Sequence, residues 1–292
     1  MLMESLIGGG VAAGALGGYA IGYAPLMKPR IVRYRVRSDR LDFFRHVNLT
    51  GLRVAALADL HACRFWMTPA RMHAIVEQAN ALKPDLIVLL GDYVSGMEPL
   101  GRWMELPMAD WSQALAGLSA PLGTYAVLGN HDCWRGGADV QRHLEDAGIA
   151  VLHNAAVQLR TEAGARFWLA GVGSQRAQKL DRKNYRGEDD LDAALAEITG
   201  DTEPVVLLAH EPDLFPDIPA RIDVMLSGHT HGGQVRLPFI GAPFVPSRYG
   251  QRYAYGQFTE KSRHLIVSGG LGCSGLPIRF GMPPEIVVVE VG

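Results

Sequence analysis

The sequence predicts an α/β layered fold with mixed β-sheets, on three observations. Short apolar runs rich in Val, Leu and Ile recur along the chain, stretches of helical period lie between several of them, and one pair of runs is joined by a tight turn. Such runs read as strands buried on both faces, and strands alternating with helices stack into layers. The tight turn adds an antiparallel pair. With 292 residues, 48% of them hydrophobic, the chain can bury a large core, which excludes a disordered segment or a disulfide miniprotein.

The first 29 residues stand apart. No charged side chain occurs from Leu6 to Met27, and at about 1.5 Å rise per residue this run would cross roughly 30 Å of hydrocarbon. Gly10, Gly14, Gly18 and Gly22 would line one face of such a helix. Only Glu4 precedes the run, whereas Lys28, Arg30, Arg33, Arg35, Arg37 and Arg40 come after it, and basic flanks stay in the cytoplasm. Residues 1–29 are therefore expected to be a membrane anchor or a tail. The expected location is the inner membrane, with a single N-terminal helix and the body on the cytoplasmic side; the alternative is an exported envelope protein. Residues 30–292 carry no repeat, low-complexity linker or composition break, so one catalytic domain is expected.

Within that domain the runs Leu52–Ala58, Leu86–Leu90, Tyr125–Leu128, Val205–Ala209, Val224–Leu226, Leu265–Val267 and Ile286–Val289 predict strands. Helices are predicted from Pro69 to about Leu82, over Ala138–Ala147 and over Asp189–Ile198; Thr68 is the N-cap of the first and Pro69 its opening residue. Val157–Leu159 and Phe167–Ala170, around the Glu162–Ala165 turn, predict the hairpin. A net charge of −2 argues against a general nucleic-acid binder, whose affinity rests on many phosphate contacts. Cys63, Cys133 and Cys273 are an odd number without a CxxC spacing, which implies a reducing compartment or no structural disulfide.

Polar clusters terminate five of the runs: Asp59-Leu60-His61, Gly91-Asp92, Gly129-Asn130-His131-Asp132, His210-Glu211-Pro212 and Gly228-His229-Thr230-His231-Gly232-Gly233. Loops at the carboxyl ends of strands are where α/β folds gather ligands. Imidazole, carboxylate and carboxamide donors without a thiolate suit Mn, Fe, Zn or Ni ions rather than a cysteine-based structural zinc. Asp59 and His61 are expected to alternate along an extended segment so that both point one way, and His229 and His231 likewise. The potential donors exceed what one tetrahedral ion accepts, so two ions are expected, bridged by Asp92, the acid of the second cluster.

In this order the clusters resemble the calcineurin-like metallophosphoesterase superfamily over about residues 50–292. The stretches Gly228–Gln234 and Leu271–Gly281 further resemble the bacterial branch with YkuE- and YaeI-type phosphodiesterases and the UDP-2,3-diacylglucosamine pyrophosphatases of lipid A biosynthesis. The resemblance implies a four-layer αββα sandwich with two mixed sheets and the metal site in loops at the strand C-terminal ends. It implies that Asp59, His61 and His231 hold one divalent cation (Mn2+, Fe2+, Zn2+ or similar), that Asn130, His210 and His229 hold a second, and that Asp92 bridges them. His131 is then the candidate general acid or phosphate-oxygen donor, with Asp132 fixing its tautomer. A metal-bridging water, its pKa lowered toward about 7, would attack phosphorus in line and cleave a phosphodiester or pyrophosphate bond.

Arg64, Arg135 and Arg279 lie in or near these loops and are candidate phosphate ligands, since guanidinium matches phosphate oxygens in pairs. Two apolar stretches, Tyr93–Trp111 and Leu237–Phe258, suit an acylated phosphate or a membrane interface. A lipid-linked nucleotide such as UDP-2,3-diacylglucosamine is thus one expected substrate. The alternatives are a broad-specificity phosphodiesterase or phosphatase, and a metal-binding scaffold without turnover.

Overall fold

The computed structural model describes residues 14–37, 49–181, 184–200 and 202–292. Its elements in order are β1 (Arg30–Val36), β2 (Arg53–Leu57), α1 (Pro69–Ala81), β3 (Leu86–Leu89), α2 (Met108–Leu115), β4 (Thr124–Ala126), α3 (Asn130–Trp134), α4 (Gly137–Asp146) and β5 (Ala150–Val151). The second half adds β6 (Ala155–Arg160), β7 (Arg166–Gly171), β8 (Gln178–Lys179), β9 (Tyr185–Arg186), α5 (Leu191–Ala196), β10 (Val205–Leu208), β11 (Val224–Ser227), β12 (Gly256–Glu260), β13 (Arg263–Val267) and β14 (Glu285–Val291).

Two six-stranded mixed sheets result, in the orders β1-β14-β2-β3-β4-β5 and β12-β13-β11-β10-β7-β6. In the first, only the β14–β2 pair is antiparallel; in the second, antiparallel pairing is confined to the edges, β12–β13 and β6–β7. The alternation of side chains along each strand builds the layers. Val54 and Ala56 of β2 face the other sheet, while Ala55 and Leu57 face α1, α2 and α4. Val206 and Leu208 of β10 meet them from the opposite sheet, and Val205 and Leu207 turn outward to Phe215 and Tyr253. Three apolar layers between four structural layers make the expected αββα sandwich.

The predicted strands and helices form within a few residues of their expected limits. In α1 the Thr68 hydroxyl accepts the Arg71 N–H at 3.3 Å, and Met72, Ile75, Val76 and Ala79 supply the buried face.

The expected inner-membrane placement through an N-terminal membrane-crossing helix is overturned. Among the described residues no helix is long and apolar enough to cross a membrane. Residues 1–13 of the expected anchor lie outside the described residues. The remainder forms an α-helical turn at 14–17 that runs into a short π-helical stretch, Gly18–Tyr23, and a 3-10 turn, Ala24–Leu26, bonded to the body. Arg71 donates to the carbonyls of Pro25, Leu26 and Met27, Trp66 to that of Ile21, and the Arg279 N–H to that of Ala20. Arg30, Arg33 and Arg35 of the basic flank lie in β1, an edge strand paired in parallel with β14, where Arg30 meets buried Glu285 at 2.9 Å; Arg40 lies outside the described residues. These arginines therefore serve a sheet edge, and the inner-membrane placement falls with the helix.

The Tyr93–Trp111 stretch also differs from its lipid-facing expectation. Tyr93, Met97, Met104 and Trp111 are buried between the first sheet and its helices, and Trp103 is the member that stands exposed.

Candidate metal centre

Five strands deliver the predicted ligands to one edge of the sandwich. Asp59 and His61 follow β2, Asp92 follows β3, Asn130 follows β4, His210 follows β10, and His229 and His231 follow β11. The loop after β13 closes over them, its Leu271 and Gly272 N–H groups bonding to the carbonyls of Ala58 and Asp59. Main-chain bonds also join the loops: Asp59 to Gly91 at 3.0 Å, His61 to Asp92 at 2.9 Å and Gly228 to His210 at 3.0 Å.

Asp59, His61, Asp92, His229 and His231 all adopt positive φ, between 48° and 68°. The sequence expectation of period-two alternation is corrected here. Each pair converges because both members sit in the left-handed region, which costs non-glycine residues energy and persists where surrounding structure enforces it. Glycines permit the crowding. A Cβ on Gly129 would lie 2.6 Å from the Asp92 nitrogen, and one on Gly228 would lie 2.6 Å from the Asp59 Oδ2.

Two buried trios result, Asp59 with His61 and His231, and Asp92 with His210 and His229, each with donor atoms within 4.8 Å of one another. His61 Nε2 and His231 Nε2 are 3.1 Å apart, and His229 Nδ1 and His210 Nε2 3.2 Å apart. Asp92 Oδ2 lies between the trios, 3.3 Å from His210 Nε2 and 3.6 Å from His61 Nε2. Its Oδ1 accepts the His131 N–H at 2.9 Å.

The hydrogen-bond network assigns the imidazole tautomers. His61 Nδ1 faces the Val94 carbonyl at 3.0 Å, His210 Nδ1 the Leu90 carbonyl at 2.6 Å, and His229 Nε2 the Pro246 carbonyl at 3.0 Å. A carbonyl can only accept, so these nitrogens carry protons; the opposite nitrogens of His61 and His229 turn lone pairs into the centre, whereas His210 Nε2, beside Asp92, also holds a proton that a cation would displace. Metal-ligating histidines are oriented in this way. The Asn130 Oδ1 is buried without a hydrogen-bond partner, an orphan acceptor that a cation would satisfy. The donor set therefore fits two divalent ions.

Electrostatics agree. Burial pushes the Asp59 carboxyl up to about 7 and the His61 imidazole down to about 4, and burial likewise holds His229 and His231 well below the usual histidine value. Burial opposes charge at Asp92 and His210 as well, yet their mutual attraction wins, lowering Asp92 and raising His210. Neutral imidazoles at His61, His229 and His231 beside desolvated carboxylates make a donor set suited to positive charge.

His131 flanks the first trio, its ring edge-on to His61 with centroids 5.1 Å apart and its Nε2 3.3 Å from Ser274 Oγ. The Asp132 carboxylate accepts four main-chain N–H groups, from Asp92, Tyr93, Val94 and Gly129, and so ties the β3 and β4 loops together. Of the candidate arginines, Arg279 is wholly buried and donates to the Gly269, Gly272 and Met282 carbonyls, bracing the loop after β13 instead of facing substrate. Arg64 is exposed and donates to the Trp103 carbonyl; Arg135 pairs with Glu105 at 2.8 Å. A cavity of about 310 Å³ opens over the candidate metal ligands and is lined by Arg176, Trp134, Tyr185 and Phe244 besides His131. Sequence reasoning missed Arg176, because no histidine or aspartate cluster marks its loop. Buried Glu211 accepts from Ser174 Oγ and the Gln175 N–H, and the Arg176 carbonyl accepts the Trp134 Nε1–H at 2.9 Å. The signal was Glu211, directly after candidate ligand His210.

Comparison with known proteins matches the profile of calcineurin-like phosphoesterases to residues 52–233. The chain belongs to this family. It is a metal-dependent phosphoesterase, and the family's metal dependence agrees with the two donor groups. The chain is 32% identical to the uncharacterized metallophosphoesterase YkuE of Bacillus subtilis, over 96% of this chain and 93% of that one. It is 35% identical to the phosphodiesterase YaeI of Escherichia coli, over 86% of each. Among solved structures, a Staphylococcus aureus chain described as a candidate 5′-nucleotidase superposes with a TM-score of 0.50 at 13% identity, covering 82% of this chain and 54% of that one. A Thermus thermophilus 5′-nucleotidase precursor gives 0.48 at 15% identity, with 76% and 49% covered. The chain thus spans about half the length of these solved structures, and the first of them supports the fold alone.

Proposed function

We propose that the chain is a two-metal hydrolase of phosphodiester or pyrophosphate bonds, with Asp59, His61 and His231 on one ion, Asn130, His210 and His229 on the other, and Asp92 shared. The observation that carries this reading is the Asp92 carboxylate, which belongs to the second trio and reaches with one oxygen both His210 there and His61 of the first. Bound divalent ions of the Mn2+, Fe2+ or Zn2+ type would supply a water nucleophile near neutrality and offset charge on the phosphoryl oxygens. Arg176, with its guanidinium 5.2 Å from the centre of the Tyr185 ring, presents a fork for those oxygens. His131 donates a proton or hydrogen bond from Nε2 toward the departing oxygen, on the side of the Ser274 hydroxyl. Asp132 acts as a positioning residue through the main chain it ties.

Exposed Phe244 at the cavity, with exposed Phe239 and Ile240 in the same segment, favours a substrate with an apolar substituent, of which UDP-2,3-diacylglucosamine is one example. Broad activity on small diesters is the competing reading. Turnover of UDP-2,3-diacylglucosamine, bis-p-nitrophenyl phosphate and p-nitrophenyl phosphate, each with Mn2+, Fe2+ or Zn2+, separates them. A diester-cleaving enzyme favours the first two over the monoester, and Asp92→Asn abolishes turnover. Loss of all three activities in the metal-loaded wild type sinks the hydrolase reading.

A further inference from the structure

A second groove of about 650 Å³ adjoins the metal cavity, and the two share Trp134, Ser274 and Gly275 in their walls. Its other lining includes Arg135, Gln178, Lys179 and Pro99. The partition between them is a built stack. Trp134 and Tyr185 lie with ring centroids 5.9 Å apart and planes 14° from parallel. Lys179 Nζ sits 5.3 Å from the Trp134 ring centre on the side that the groove reaches, and Arg176 sits over Tyr185 in the metal cavity. The β8–β9 hairpin supplies Lys179 and Tyr185, and the hydrogen bond from Trp134 to the Arg176 carbonyl fixes the indole. Each side of one aromatic wall thus carries its own cation.

We infer that this groove is a second anion subsite, holding a negatively charged group attached to a substituent of the phosphorus that reacts in the metal cavity. The inference rests on the hydrolase reading and narrows its substrate class to diesters that carry a further phosphate or carboxylate. Among the described residues, Glu105 is paired with Arg135 at 2.8 Å and Glu188 accepts from Gln178 at 3.2 Å, whereas Lys179 faces the indole. Lys179 is thereby the described lysine that an incoming anion meets in this groove.

The matched probes are the p-nitrophenyl ester of thymidine 5′-phosphate with and without a 3′-phosphate, assayed on the full chain with Mn2+. The expected result is a kcat/KM higher by about five- to tenfold for the 3′-phosphorylated ester, the worth of one partly exposed charge-assisted contact. In Lys179→Ala that preference should shrink below twofold, and Lys179→Arg should retain it. Equal kcat/KM for the two esters in the wild type, or an unchanged preference in Lys179→Ala, overturns the subsite while leaving the hydrolase reading standing. Failure to cleave either ester, bis-p-nitrophenyl phosphate or UDP-2,3-diacylglucosamine overturns both.

Discussion

The proton at Asp59 competes with metal. Burial raises this carboxyl to about 7, so in the metal-free protein it is mostly protonated below neutrality, and a cation entering the first trio must displace that proton. His61, lowered to about 4, contributes no such competition until much lower pH. A group that binds a proton in the empty site and releases it on metal binding makes affinity fall as pH falls. Below about pH 7 the first-ion affinity should drop by about tenfold per pH unit, and above about pH 8 it should level off. Calorimetric titration with Mn2+ at pH 5.5, 6.5 and 8 checks this through both the affinity and the protons released. A flat affinity between pH 5.5 and 8 would show that Asp59 is not the competing group.

At the scale of the elements, the site depends on how closely the loops after β3 and β4 approach. The Cβ that alanine would add at Gly129 meets the main chain of Asp92, which cannot swing aside as a flexible side chain would. Gly129→Ala should therefore push the Asp92 loop away, at a cost of about 1–3 kcal/mol in stability. Activity should fall by more than tenfold while the far-ultraviolet circular dichroism stays native, and restored activity at high Mn2+ would identify the lesion as lost metal affinity. The strands that carry these loops were legible in the sequence because buried parallel strands must be continuously apolar, and Leu86–Leu89 and Val205–Leu208 are. Thr68 and Pro69 announced α1 by the chemistry of a helix start. β1 was not legible. Arg-Ile-Val-Arg-Tyr-Arg-Val reads as a charged flank until one knows that β14 offers it an edge and Glu285 a partner, both more than two hundred residues away. The candidate ligands stood out for the same reason in reverse: histidine and aspartate at the end of an apolar strand are costly unless something binds them. Arg176 and the Trp134–Tyr185 wall were not, because only the fold brings the β8–β9 hairpin beside α3.

Across the whole molecule, the metal centre is also the place where the two sheets are joined by polar groups. In the first trio Asp59 and His61 come from the β2 end of one sheet and His231 from the β11 end of the other; in the second, Asp92 faces His210 and His229 across the same divide. Each ion would therefore bind both halves of the sandwich at once, adding to the apolar layer between the sheets and to the polar contacts that cross at that end, such as His210 Nδ1 to the Leu90 carbonyl and the His229 N–H to the Asp59 carboxylate. A ligand present at a hundred times its Kd stabilises the fold that binds it by about 2.7 kcal/mol. For a chain of this size that corresponds to roughly 5–10 °C in Tm. Chelation with EDTA should lower Tm by that amount, Mn2+ should restore it, and Asp92→Asn should show a smaller difference between the two conditions. Hydrogen exchange should localise the change: amides of the loops after β2, β3, β10 and β11 should exchange faster without metal, while Leu86–Leu89 and Val205–Leu208 stay protected. Uniformly faster exchange through those buried strands would instead mean that the ions support the whole fold and not one end of it.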